Sequence, residues 1–222
     1  MQRTVILTKD GSHSISVPEL DVTYHSTHGA IQESQHVFID AGLNAVQRTA
    51  ASSLSILEMG LGTGLSVLLT LISAGGRPIR YTAIELYPLE PELINSLNYC
   101  QELQRMDLLQ PFESIHSSEW NTEHLINKDF IFRKIKDDLH TVPLDEKFDL
   151  IYYDAFAPSV QPDLWITEIF RKLIEATAPG GILVTYCSKS VVRRAMKAAG
   201  WIIEKIPGPY GKREMVRAKK PI

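Results

Sequence analysis

Residues Glu58-Met59-Gly60-Leu61-Gly62-Thr63-Gly64 stand directly after the apolar run Ser55-Ile56-Leu57 and directly before the helix-spaced stretch LSVLLTLISAG. Glycines at such a strand-to-helix turn let backbone approach a ligand closely, and the helix behind them offers unpaired N–H groups. The turn demands a strand on one side and a helix on the other, and the rest of the chain repeats that alternation. The apolar runs SILEM, YTAIEL, FIFRKIK (130–136), FDLIYYD (148–154) and GILVTYC (181–187) interleave with helical stretches at LSVLLTLISAG, PELINSLNYCQELQRM, about 163–177 and about 190–199. Repeated βαβ units imply an α/β fold with a mostly parallel sheet. WIIEKIP (201–207) and REMVRA (213–218), separated by GPYGK, read as an antiparallel closing pair.

Ahead of this core, RTVILT (3–8) and HSISV (13–17) flank the turn-like KDGS, which predicts a short β-hairpin. Ser26 to Phe38 then carries apolar positions at helical spacing that continue through about Ala51. The expected organisation is a hairpin and helix extension over 1–50, packed on a Rossmann-like core over 51–222 that closes with an antiparallel last strand, a single domain overall. The 222 residues, 44% hydrophobic, suffice for one core. No apolar run approaches the roughly 18 residues that cross a bilayer. The N-terminus lacks a basic-then-apolar signal pattern, so a soluble, cytoplasmic chain with no membrane partner is expected. Cys100 and Cys187 stand in no metal-ligand spacing and read as buried, reduced thiols.

Four pieces carry chemistry. Gly60, Gly62 and Gly64, with Glu58 two positions before the first, depart from the G-x-G-x-x-G of dinucleotide binders, and their spacing resembles motif I of class I methyltransferases. Glu85 ends the strand YTAIEL, where a carboxylate can accept hydrogen bonds from both ribose hydroxyls of NAD or of S-adenosylmethionine alike. Asp137 and Asp138 follow FIFRKIK, where a methyltransferase of this class would hold an adenine amino group; Asp138, next to Leu139, is the preferred contact, and a solvated, capping turn is the other reading. Asp154 ends FDLIYYD, beyond the strand carboxyl ends where open parallel sheets bind ligands. A carboxylate there suits an amine acceptor, since an alkylamine has a pKa of about 10.4 and must lose a proton before it can attack a methyl group. Phe156, Trp165 and Tyr210 could wall that pocket, or simply pack the core. His25, His28, Glu33 and His36 include i, i+3 spacings, but the set is too incomplete for a metal, and shaping or lidding of the pocket accounts for it.

Together these features closely resemble one family, the methyltransferase part of the bacterial enzyme that completes 5-methylaminomethyl-2-thiouridine at the tRNA wobble position. The resemblance covers nearly the whole chain and rests on STHGAIQESQHVF (26–38), LEMGLGTGLS (57–66), DAFAPSVQPDLW (154–165), APGGILVTYCSKSVVRRAMKAAGW (178–201) and GPYGKREM (208–215). It implies that Gly60, Gly62, Glu85 and Asp138 bind S-adenosylmethionine and that Asp154 faces the aminomethyl group of a modified uridine. With Glu58, Gly64, Asp137 and Asp154 these complete the expected cofactor set, and Asp154 is the expected catalytic residue. The sequence stops at Ile222, without the oxidase domain fused behind this part in the bifunctional form, so a stand-alone methyltransferase is expected. From Lys189 to Ile222 ten Lys or Arg face only Glu204 and Glu214, although the whole chain is −3. Arg193, Arg194, Lys197, Lys212 and Arg213 are therefore candidate contacts to a tRNA backbone. The competing readings are a small-amine methyltransferase, a non-catalytic cofactor-binding module and an NAD-dependent oxidoreductase, the last disfavoured by the glycine spacing.

Overall fold

The computed structural model describes residues 2–47 and 53–222. The chain opens with β1 (Thr4–Leu7), β2 (His13–Val17) and β3 (Val22–Thr23), which form a small antiparallel sheet in that order. The expected hairpin is thus present and gains a third strand. A continuous helical segment follows: α1 (Ala30–Ser34), a π-helical stretch (Gln35–Leu43) and α2 (Asn44–Gln47). Its wider i→i+5 winding buries Val37, Phe38, Ile39, Ala41 and Leu43 together against the sheet. The helix expected to run to about Ala51, and the boundary expected between residues 50 and 51, end outside the described residues.

The core continues with β4 (Leu54–Met59), α3 (Leu65–Ser73), β5 (Ile79–Ile84), α4 (Pro91–Asn95), α5 (Tyr99–Glu102), α6 (Leu109–Ser117), β6 (Glu123–Asn127) and β7 (Phe130–Ile135). It closes with β8 (Phe148–Tyr153), α7 (Thr167–Ala176), β9 (Thr177–Thr185), α8 (Ser190–Ala198), β10 (Ile202–Pro207) and β11 (Glu214–Lys219). Among the described residues eight strands form the central sheet, in the order β10-β11-β9-β8-β4-β5-β7-β6. β9, β8, β4, β5 and β7 run parallel; β11 pairs antiparallel with β9 and with β10, the closing pair expected from the sequence, and β6 pairs antiparallel with β7.

Near-continuous apolar runs make the middle strands because both faces of a parallel sheet are covered. On β8, Leu150 and Tyr152 point with Ile56 and Val184 toward the π-helical stretch and α3, while Ile151 and Tyr153 point with Leu57 and Leu183 toward α7 and α8. The stretch PELINSLNYCQELQRM, read as one helix, instead breaks at Ser96–Asn98 into α4 and α5. The break has a use: the Asn98 amide donates to Gly11 O at 2.8 Å and accepts from His13 N at 2.8 Å, tying the β1–β2 turn to the core. Arg3 adds a second tie through the carbonyls of Pro88 and Tyr87, each at 2.9 Å. Neither α6 nor β6 is announced by the sequence pattern.

Candidate active site

β4 delivers the glycine turn to the carboxyl edge of the sheet. Gly60 has φ +89°, and a Cβ there would lie 2.9 Å from the Asp154 carbonyl oxygen, so only glycine lets the turn lie against the end of β8. Gly64 has φ +73°, and a Cβ there would meet His116 Nε2 at 2.6 Å. His116, from α6, donates through Nε2–H to Thr63 O at 3.1 Å and so clamps the turn from behind. Burial pushes its imidazole down to about 4, which keeps the ring neutral.

A cavity of about 790 Å³ opens in front of this turn, beyond the carboxyl ends of β4, β5, β7 and β8. Glu58, Gly60, Gly62, Glu85, Asp138 and Asp154 all line it. Its wall carries six carboxyl side chains against the cationic Arg3 and Lys212. Glu58 is 1% exposed, and its Oε2 has no hydrogen-bond partner among the described residues. Burial first and the Asp154 charge second hold this carboxyl well above the usual range. Glu85 accepts from Gly62 N at 3.0 Å through Oε2 and from Tyr87 N at 2.8 Å through Oε1. Each oxygen retains a further lone pair that can receive one of two vicinal hydroxyls. Asp138 Oδ1 accepts from His140 N at 2.9 Å and pairs with His140 Nδ1 at 2.8 Å, and these contacts hold its carboxyl below the usual range. Its Oδ2 is left for an amino group. Asp137 lies off the cavity wall, where its Oδ1 accepts from Asp138 N and Thr141 Oγ1 at 2.7 and 3.1 Å and shapes the turn. Gly64 likewise lies behind the wall, in the His116 contact.

Asp154, at the end of β8, lines the cavity and is partly buried. Burial, then Glu33, push its carboxyl up to about 8, against the opposing pull of Lys212. Phe156 lines the same end and meets the edge of Tyr24 at 5.1 Å and 87°. Tyr24 belongs to the N-terminal extension, which therefore forms one wall; a Cβ on Gly62 would touch its ring at 3.1 Å. Trp165 is buried behind that wall and holds it in place, donating from Nε1 to Phe156 O at 2.8 Å. Tyr210 is 66% exposed and lies outside, edge-on to His28 at 5.0 Å. Of the basic side chains, Lys212 enters the cavity, whereas Arg193, Arg194 and Lys197 lie on α8 and Arg213 on the loop before β11.

The residues His25 to His36 disperse. His25 is buried on the cavity wall beside Ser14 Oγ at 3.3 Å, and burial pushes it down to about 4. His36 donates from Nε2 to Pro207 O at 2.9 Å. Glu33 pairs with Lys212 at 2.8 Å. Among the described residues no three His, Cys, Asp or Glu side chains gather as a metal site would need, and no helix is long and apolar enough to cross a membrane. Tyr24, His116 and Tyr186 escape sequence reasoning, since each acts through a contact distant in the chain.

Comparison with known proteins points the same way as the geometry. Residues 97–221 match a family model described as S-adenosyl-L-methionine-dependent methyltransferase. The chain is 31% identical over 212 residues to the tRNA 5-methylaminomethyl-2-thiouridine biosynthesis bifunctional protein MnmC of Pseudomonas fluorescens strain Pf-5, covering 90% of this chain and 32% of that one. The same protein from strain Pf0-1 is 30% identical over 211 residues, again with 90% and 32% covered. The chain thus spans about a third of the length of these curated relatives. Its fold is that of the crystal structure of MNMC2 from Aquifex aeolicus, with a TM-score of 0.79 at 20% identity, over 100% of this chain and 72% of that one. The cavity's lining fits the donor of this family, which carries two ribose hydroxyls, an adenine amino group and a cationic sulfonium: Glu85 and Asp138 offer carboxyl oxygens and the wall is acidic.

Proposed function

The chain belongs to the S-adenosyl-L-methionine-dependent methyltransferases, and from that premise we propose that it methylates the exocyclic amine of 5-aminomethyluridine, with or without a 2-thio group, at the tRNA wobble position. The observation that carries this reading is Asp154, a carboxyl poised at about 8 in the wall of the cavity shared with the glycine turn. The relatives that span the chain take part in biosynthesis of 5-methylaminomethyl-2-thiouridine in tRNA, which supports the choice of acceptor.

When bound, S-adenosylmethionine supplies an electrophilic methyl group on a sulfonium. Glu85 would hold the ribose hydroxyls, Asp138 the adenine amino group, and Glu58 the positive end of the donor, which would offset the burial of a carboxyl whose Oε2 has no partner among the described residues. In its ionised form Asp154 would orient the acceptor nitrogen and accept its proton, freeing the lone pair that attacks. Phe156, braced by Trp165 and Tyr24, would confine the acceptor amine beside the donor, so that proximity supplies much of the rate. The basic surface on α8 and at Arg213 supports docking of an RNA backbone.

Labelled S-adenosylmethionine incubated with tRNA lacking this step tests the reading. The expected product is 5-methylaminomethyluridine, with Asp154→Ala lowering the rate by about 10² to 10⁴-fold. Label appearing only on free amines would move the acceptor to a small molecule.

A further inference from the structure

The charged groups around Asp154 form a set that the mechanism above leaves unused. Lys212, from the loop between β10 and β11, places Nζ 2.8 Å from Glu33 Oε1 and 4.0 Å from the centroid of the Tyr186 ring. Glu33, Tyr186, Asp154 and Lys212 line the same cavity. The first two are fixed: Glu33 Oε2 accepts from Ser26 N at 2.7 Å, and Tyr186 Oη donates to Ala155 O at 2.9 Å. Glu33 is also enclosed, with a side chain 12% exposed, whereas that of Lys212 is 38% exposed and sits on an external loop. A lysine Nζ is a primary alkylammonium, the functional group that an aminomethyl acceptor presents before it loses its proton. A carboxylate on one side and an aromatic face on the other are what such a cation requires.

We propose that Glu33 and the Tyr186 ring, beside Asp154, form a recognition box for a primary alkylammonium, and that Lys212 occupies this box until an acceptor amine displaces it. The inference rests on the reading of the acceptor as an amine. An internal cation on a short tether competes at an effective concentration of about millimolar. A free amine held by one ammonium contact loses that competition. An amine delivered on a large substrate, held elsewhere through its phosphates, wins it, so Lys212 is a specificity-determining residue that excludes small amines.

The test uses the full chain loaded with S-adenosylhomocysteine and takes ethylammonium chloride as probe, followed by NMR titration. Lys212→Met is expected to bind ethylammonium at least about fivefold more tightly than the native protein, consistent with release of one cation–π contact. Adding Tyr186→Leu abolishes the gain, and adding Tyr186→Phe, which keeps the ring, preserves it. Equal or weaker binding by Lys212→Met, or a gain that survives Tyr186→Leu, overturns the box. The titration needs no tRNA. Methylation of tRNA without the gain refutes the box alone, and the gain without methylation of tRNA refutes only the tRNA acceptor.

Discussion

Asp154 and the two buried histidines give the protein opposing pH dependences that can be separated. Unfolded, Asp154 titrates near 3.9, whereas in the folded protein it titrates at about 8. Between those values the folded state holds a proton that the unfolded state lacks, so this carboxyl makes stability fall as pH rises. His25 and His116 are both pushed from 6.5 down to about 4. Between those values the unfolded state binds the extra protons, so stability rises with pH and offsets the carboxyl. The histidine contribution fades over the pH unit above 6.5, and the carboxyl contribution then prevails, with Glu58 acting in the same direction. The stability of the protein alone, read by thermal unfolding, is therefore expected to fall by about 1 kcal/mol at most per pH unit between pH 7 and 8. Asp154→Asn removes much of that slope, and a native profile that stays flat would exclude the assignment. At Gly64 a methyl group drives into His116 while holding φ positive, so Gly64→Ala should cost about 2–3 kcal/mol and weaken S-adenosylmethionine binding at least tenfold. Denaturant unfolding and calorimetric titration read the two effects. The glycines and the carboxylates at strand ends were legible because local sequence alone places them after apolar runs. His116 was not, since nothing near it in the chain announces that its ring will close on a turn made by residues 60–64.

At the scale of elements, legibility followed burial. β4, β5 and β8 are covered on both faces and read as apolar runs. β6 alternates exposed and half-exposed positions along an edge and is held by backbone pairing with β7, which leaves little trace in composition. α6 contains Pro111, which suggests a break, yet the proline falls in the first helical turn where no N–H is needed. The break between α4 and α5 went unread because its cause, the Asn98 tie to Gly11 and His13, lies in another part of the chain. Asn98→Ala leaves the His13 N–H and the Gly11 carbonyl without their partner and should destabilise the protein by about 1–2 kcal/mol. Hydrogen exchange should quicken at His13 and through β1 and β2. Exchange unchanged in those strands would show that other ties, Arg3 and the contact of His13 Nδ1 with Ser96 O, secure the extension.

At the scale of the whole molecule, charge is divided between the cavity and the outside. The inner wall is acidic, while Arg193, Arg194, Lys197 and Arg213 lie outside it. If this surface meets RNA, Arg193→Ala with Arg194→Ala should weaken tRNA binding and reduce the slope of log affinity against log salt by about 1 for each phosphate no longer neutralised. Binding measured from 50 to 200 mM salt decides it, and an unaltered slope would leave those arginines as solvated surface. S-adenosylmethionine affinity should not change, because neither side chain reaches the cavity. The charge asymmetry along the chain was visible in sequence, but its division between inside and outside was not, since Lys212 and Arg213 are adjacent and only Lys212 enters.

The surplus of carboxylates over cations in the cavity wall also bears on how a catalytic cycle ends. A sulfonium is drawn to such a wall, but once its methyl group has gone it is a neutral thioether, and the Coulombic part of its retention disappears. The spent nucleoside keeps its ribose and adenine contacts and no longer has the attraction that distinguished it when it arrived. Fresh donor can then outcompete spent donor for the same pocket without any part of the protein having to move.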